Sequence, residues 1–187
     1  MDKRQQILEA TADLIAEQGL QDCPMAMVAK HACCGAGTIY RYFTTKEELV
    51  SQIFTELTRD MTESCLKGYD ESAGIKQRFF TFWGNFYHFM HDVPRNRALM
   101  EQLSASPAIC EIQREHDFAK ISVITDRLLD EGKEQLLIKD MPNEILKTMT
   151  LGSLIMMSKK QHLNPQMFTT EVSEKDLLAL CWDAIKA

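Results

Sequence analysis

Thr38, Tyr40, Arg41 and Tyr42 fall within five residues of one another. They combine a hydroxyl, two phenols and a guanidinium. Such groups donate hydrogen bonds to phosphate oxygens, and the fork of an arginine also matches the edge of a guanine. Arg41 is the candidate for a base contact, with a phosphate contact as the alternative. Gly35 and Gly37 stand just before this group and let backbone approach a phosphate closely. From Cys23 to Lys46 there is no Asp or Glu, but Lys30, His31, Arg41 and Lys46 are present. A local basic patch of this kind suits a nucleic-acid partner. The net charge of −6 would argue against that partner if it were spread evenly. The acidic excess lies beyond Lys46, so it leaves the patch intact.

A second cluster is aromatic. Phe79, Phe80, Phe82, Trp83, Phe86, Tyr87 and Phe89 share one segment. On a helix, Phe79, Trp83, Phe86 and Met90 line one direction, with the other rings on either side. The apolar arc is wider than a surface stripe, so neighbours must surround this helix. It is either the core of a bundle or the lining of a cavity for a flat or bulky apolar molecule, cations included. Phe54, Met61, Met100, Phe118, Leu154 and Met156 are candidates to face it. His88 and His91 have a spacing that can hold a metal on a helix. No further ligands accompany them, so surface or capping roles are expected, with no metal and no cofactor. Paired carboxylates, a Cys-His arrangement and a phosphate-cradling loop are missing in any credible context, so an enzyme is not expected. The adjacent Cys33 and Cys34 suggest either a thiol sensor or a buried Cys34 beside an incidental Cys33.

The elements that must carry these groups are helices. With eight Gly and five Pro in 187 residues, long helices are plausible and a turn-rich β fold is not. The first helix is expected over Lys3–Gln18, ended by Gly19. Pro24 can open a second to about Ala32, and a very short third covers roughly Ala36–Phe43. Thr45 with Glu48 forms a capping box for a long helix to about Cys65. Further helices are expected at about Ile75–Asp92, between Pro94 and Pro107, from Ala108 to Asp130 with a stop near Gly132, at Pro142–Leu163, and at Ser173–Lys186. The amphipathic N-terminus is not a signal peptide, and no apolar run is long enough to cross a bilayer. A cytoplasmic protein with reduced thiols and no membrane partner is therefore expected.

Gly37-Thr38-Ile39-Tyr40-Arg41-Tyr42-Phe43, followed by Thr45-Lys46-Glu47-Glu48-Leu49, resembles the signature of the TetR (tetracycline repressor) family. Val28-Ala29-Lys30-His31-Ala32 and Ile7-Leu8-Glu9-Ala10 fit the same N-terminal pattern. The resemblance covers about the first 50 residues. It implies an all-α fold, with an N-terminal three-helix DNA-binding domain containing a helix-turn-helix. A long helix joins that domain to a C-terminal helical ligand-binding and dimerisation domain. The expected division is 1–46 and 47–187.

The DNA contacts implied are Lys30, Ala36, Gly37, Thr38, Tyr40, Arg41, Tyr42 and Lys46, with Thr38, Tyr42 and Lys46 on phosphates. The ligand contacts implied are Phe54, Met61, Phe79, Trp83, Phe86, Met100, Phe118 and Met156. Leu151, Leu154, Ile155, Leu178, Cys181, Trp182 and Ile185 would form the homodimer interface. The partners implied are a pseudo-palindromic double-stranded DNA operator and a small-molecule inducer that releases it. A DNA-bound protein-interaction factor of the same fold, without an inducer, is the alternative. The turn departs from the family's Ala-Gly-Val-Ser, since it reads Ala32-Cys33-Cys34-Gly35. Cys33 stands where the family has Gly, so a non-glycine residue is expected to take strained backbone angles there.

Overall fold

Short-range chemistry accounts for most helix boundaries in the computed structural model, which describes residues 2–168 and 172–187. Asp2 caps the first helix, α1 (Lys3–Gln18), by accepting from the Gln5 N–H. Gly19, at φ 89°, ends it. Pro24 precedes α2 (Met25–His31), and α3 spans Ala36–Tyr42. The capping box opens α4 (Lys46–Cys65): the Glu48 N–H donates to Thr45 Oγ1 at 3.1 Å. The Glu48 carboxylate reaches one residue further back than expected, to the Thr44 N–H at 2.6 Å.

Helices α5 (Ile75–His91) and α6 (Pro94–Ser104) follow, then α7 (Glu111–Glu134). Gly132 does not stop α7 as expected. A Cβ there would collide with the Ile138 side chain, so this glycine makes room for packing and the helix runs past it. The last helices are α8 (Asn143–Lys147), α9 (Ser153–Leu163) and α10 (Glu174–Ile185). A π-helical turn, Thr148–Gly152, joins α8 to α9. Ser173 caps α10 by accepting from the Asp176 N–H at 3.2 Å.

Packing divides the chain into two compact units, residues 1–60 with 95–117, and 61–94 with 118–187. In the first, α1 to α3 close around Ile7, Leu8, Ile15, Val28, Ala32, Ile39 and Phe43, all buried. The first part of α4, α6 from Arg95 onward and the start of α7 pack with this head. Arg95 pairs with Glu9 at 2.6 Å and Asp13 at 2.7 Å. Gln113 and Asp117 bond to Ser51 and Thr55 of α4 at 2.9 and 2.8 Å. In the second unit α5 packs against α9 and α10. Its buried face carries Phe79, Phe82, Trp83 and Phe86.

Candidate nucleic-acid interface

The approach to the recognition segment is set by how α2 ends. The Cys33 N–H donates to the Lys30 carbonyl at 3.2 Å, and the Cys34 N–H to the Ala29 carbonyl at 3.0 Å. This pair of bonds is a Schellman closure, which needs a left-handed residue between them. Cys33 occupies that position at φ 47°. The turn thus imposes the strain expected from the cysteine standing in place of glycine. Gly35 then starts α3 without a side-chain cap.

Only Ile39 of α3 is buried. Ala36, Gly37, Tyr40, Arg41 and Tyr42 are exposed, Thr38 is half-buried, and Lys30 at the end of α2 is exposed. Tyr40 and Tyr42 show 53% and 42% of their surface, unusual exposure for large rings with no internal role. Six of the eight DNA-contact candidates are therefore exposed and the other two half-buried. Lys46 differs. It is half-buried, and its Nζ donates to the Leu20 carbonyl at 2.9 Å. That bond makes it a brace between the start of α4 and the loop after α1. The sequence carried no sign of this long-range contact.

The six thiols fall into three groups. Cys23, Cys65 and Cys181 are buried, Cys34 is half-buried, and Cys33 and Cys110 are exposed. Burial pushes the Cys65 thiol up to about 12 and the Cys181 thiol up to about 11. Burial also raises Cys23, partly offset by the nearby charge of Lys46.

In the second unit the rings of α5 form a contiguous stack. Phe79 lies on Trp83 with centroids 4.2 Å apart and planes 20° apart. Phe82 tilts against Trp83 at 5.3 Å, and Trp182 meets Phe79 edge-on at 5.2 Å. Met61 and Phe86 are buried in the same unit and Phe118 is half-buried. Met156 is 52% exposed and takes no part in that core. Phe54 and Met100 are buried in the first unit, not this one. The eight ligand candidates are thus divided between the two units. Phe82 and Trp182 belong to the ring cluster but were not among them. The stripe on α10 showed that Trp182 would be covered without showing by what.

His88 and His91 do not converge on a common point. The two ring nitrogens of His88 contact Asp92 at 2.8 Å and Glu174 at 3.0 Å, while His91 stacks on Tyr87 at 4.9 Å. Of the dimer candidates, Leu154, Leu178, Cys181, Trp182 and Ile185 are buried within their own chain, and Leu151 and Ile155 are half-buried. The exposed apolar residues of these helices are instead Ile145, Met149, Met156, Leu163 and Leu180. The π turn adds a residue to one helical turn. A wheel drawn at 3.6 residues per turn is therefore out of register after Gly152.

Two family models account for most of the chain. One described as "Bacterial regulatory proteins, tetR family" matches residues 7–53, and one described as "Tetracyclin repressor-like, C-terminal domain" matches residues 74–186. The chain belongs to the TetR family. As a TetR-family protein it is a DNA-binding transcriptional regulator. A helix-turn-helix transcriptional regulator of Haemophilus influenzae is 31% identical over 111 residues, which is 59% of this chain and 59% of that relative. A TetR-family regulator from Vibrio parahaemolyticus superposes with a TM-score of 0.83 at 28% identity, over 100% of this chain and 99% of that one. The transcriptional regulator FadR from Bacillus subtilis, solved in complex with stearoyl-CoA, shares the fold at a TM-score of 0.74 and 20% identity, over 95% and 92% of the two chains. No described helix is long and apolar enough to cross a membrane.

Proposed function

We propose that this TetR-family regulator is a repressor that binds a pseudo-palindromic operator as a homodimer and is released by a small apolar molecule. The observation that carries the DNA reading is α3 itself. It buries one residue and turns Tyr40, Arg41 and Tyr42 outward beside exposed Lys30, in a stretch without acidic side chains. Thr38 and Tyr42 contact phosphates, and Arg41 reads a base edge or a phosphate.

A second copy covers the exposed apolar side chains Met149, Met156 and Leu180. These side chains lie on helices that already spend their other apolar stripe on the chain's own core. A symmetric pairing would give two recognition helices for two half-sites. The effector binds in the 61–94 and 118–187 unit, where the ring cluster of α5 supplies apolar surface. The stearoyl-CoA held by the FadR relative is a precedent for an apolar effector within this fold. Ligand release works only through a difference in affinity between the two conformations.

Selection of bound genomic fragments tests the proposal. The expected outcome is an inverted repeat whose affinity falls steeply with salt and drops about tenfold or more with Arg41→Ala. Unchanged affinity in that variant would overturn the assignment of α3.

A further inference from the structure

Trp83 is fully buried, yet its indole Nε1 has no hydrogen-bond partner among the described residues. Buried donors in folded proteins are nearly always paired, so an orphan calls for an explanation. Leaving one unpaired destabilises a fold by on the order of tenfold in its equilibrium constant. The same helix carries a second orphan, Arg78 Nε. The charge of Arg78 is already met: Nη2 pairs with Glu131, and Nη1 donates to the Glu71 carbonyl at 3.3 Å. What remains among the buried side-chain donors of α5 is therefore Trp83 Nε1 and Arg78 Nε, both unpaired among the described residues.

The sign of the surroundings narrows what could satisfy the indole. Lys76 already places its ammonium over the Phe80 and Trp182 rings, at 5.9 and 6.0 Å. A cationic molecule entering this cluster would meet a like charge and the indole donor. A molecule with an acceptor would meet neither obstacle.

A second feature borders the same cluster. The π turn Thr148–Gly152 packs on α10, and Trp182 of α10 contacts Phe79, which stacks on Trp83. Single π turns within α-helices recur at functional sites. Here the Thr150 carbonyl accepts from Cys181 Sγ of α10 at 3.8 Å, so α10 is held to the turn by a weak bond.

We propose that Trp83 Nε1 donates a hydrogen bond to the effector, an apolar molecule bearing a carbonyl or carboxylate oxygen and no positive charge. This inference rests on the effector reading given above and names the group that recognises the molecule.

The test uses the full-length protein labelled with 15N and three twelve-carbon probes: dodecanoate, 2-dodecanone and dodecyltrimethylammonium. The chain has two tryptophans, so the Trp182→Phe variant assigns both indole signals. With dodecanoate or 2-dodecanone the Trp83 indole proton moves downfield, and the stronger of the two responses tells carboxylate from carbonyl. The ammonium probe leaves that proton in place. Trp83→Phe keeps the ring without the donor, and it weakens the better acceptor probe on the order of tenfold. Its affinity for the ammonium probe does not change. If that variant does not fold, the wild-type indole shift decides alone. Acceptor probes that bind without moving the indole, or a buried water that keeps the indole when they are bound, would overturn this inference and leave the effector reading standing. Failure of all three probes to bind wild type would overturn both.

Discussion

Replacing Cys33 with glycine should stabilise the DNA-binding head. The Schellman closure of α2 holds residue 33 at φ 47°. For a residue with a Cβ, left-handed backbone angles cost about 1–2 kcal/mol. Glycine removes that penalty and loses about 0.5–1 kcal/mol through its freer unfolded chain. The thiol is exposed and sits 3.9 Å from the His31 carbonyl, so little is lost with it. The net gain is about 0.5–1 kcal/mol, or about 1–4 °C in Tm for a chain of this size. Thermal unfolding and urea midpoints measure it, and amide exchange in α2 and α3 should slow with it. Cys33→Ala separates the causes, because it removes the sulfur and keeps the Cβ, and it should change stability by less than about 0.5 kcal/mol. Leu136 repeats the geometry at the end of α7, at φ 55° and 82% exposed, with the same pair of closing bonds. Leu136→Gly should give a similar gain. A Cys33→Gly variant no more stable than Cys33→Ala would refute the strain argument.

Leu180→Glu places a charge on a side chain that is 64% exposed; sedimentation should show a monomer with weakened operator affinity, and a dimer of unchanged affinity would rule this face out. Titration with a chromogenic disulfide near pH 8 should find Cys33 and Cys110 fast and Cys34 slower, while Cys23, Cys65 and Cys181 react only after unfolding; fast reaction of Cys65 would contradict its burial. Hydrogen bonding from Arg78 holds the Glu131 carboxyl below its ordinary value of 4.5. Stability from a depressed acid is present above the unfolded pKa and is lost as pH falls through the folded one. Glu131→Gln should therefore destabilise at pH 7 by about 1 kcal/mol, because Glu131 is partly open to solvent and the amide oxygen still accepts from Arg78. The gap between variant and wild type should narrow as pH drops below that value, and a gap independent of pH would exclude the ion pair as its source.

Several features were legible because they depend on chemistry within one or two turns of chain. The Thr45 capping box, the Ser173 cap, the end of α1 at Gly19 and the start of α6 at Pro94 are of this kind. So is the left-handed Cys33, since the turn that demands it closes within six residues. The outward face of α3 was also readable, because a helix that short and polar has only Ile39 to bury.

What the sequence by itself determined, then, was the helices, their caps, the strained turn and the segment proposed to meet DNA. The tertiary structure alone decided which apolar stripe each helix buries, and against what. It turned Gly132 from an expected stop into space for Ile138, and Lys46 from a free cation into a brace on Leu20. It placed Trp182 against Phe79 inside its own chain and Met156 outside the ring cluster. It also left the Trp83 indole without an acceptor among the described residues. A helical pattern shows that a face will be covered. The identity of the covering group depends on residues far away in sequence, and no local preference encodes it.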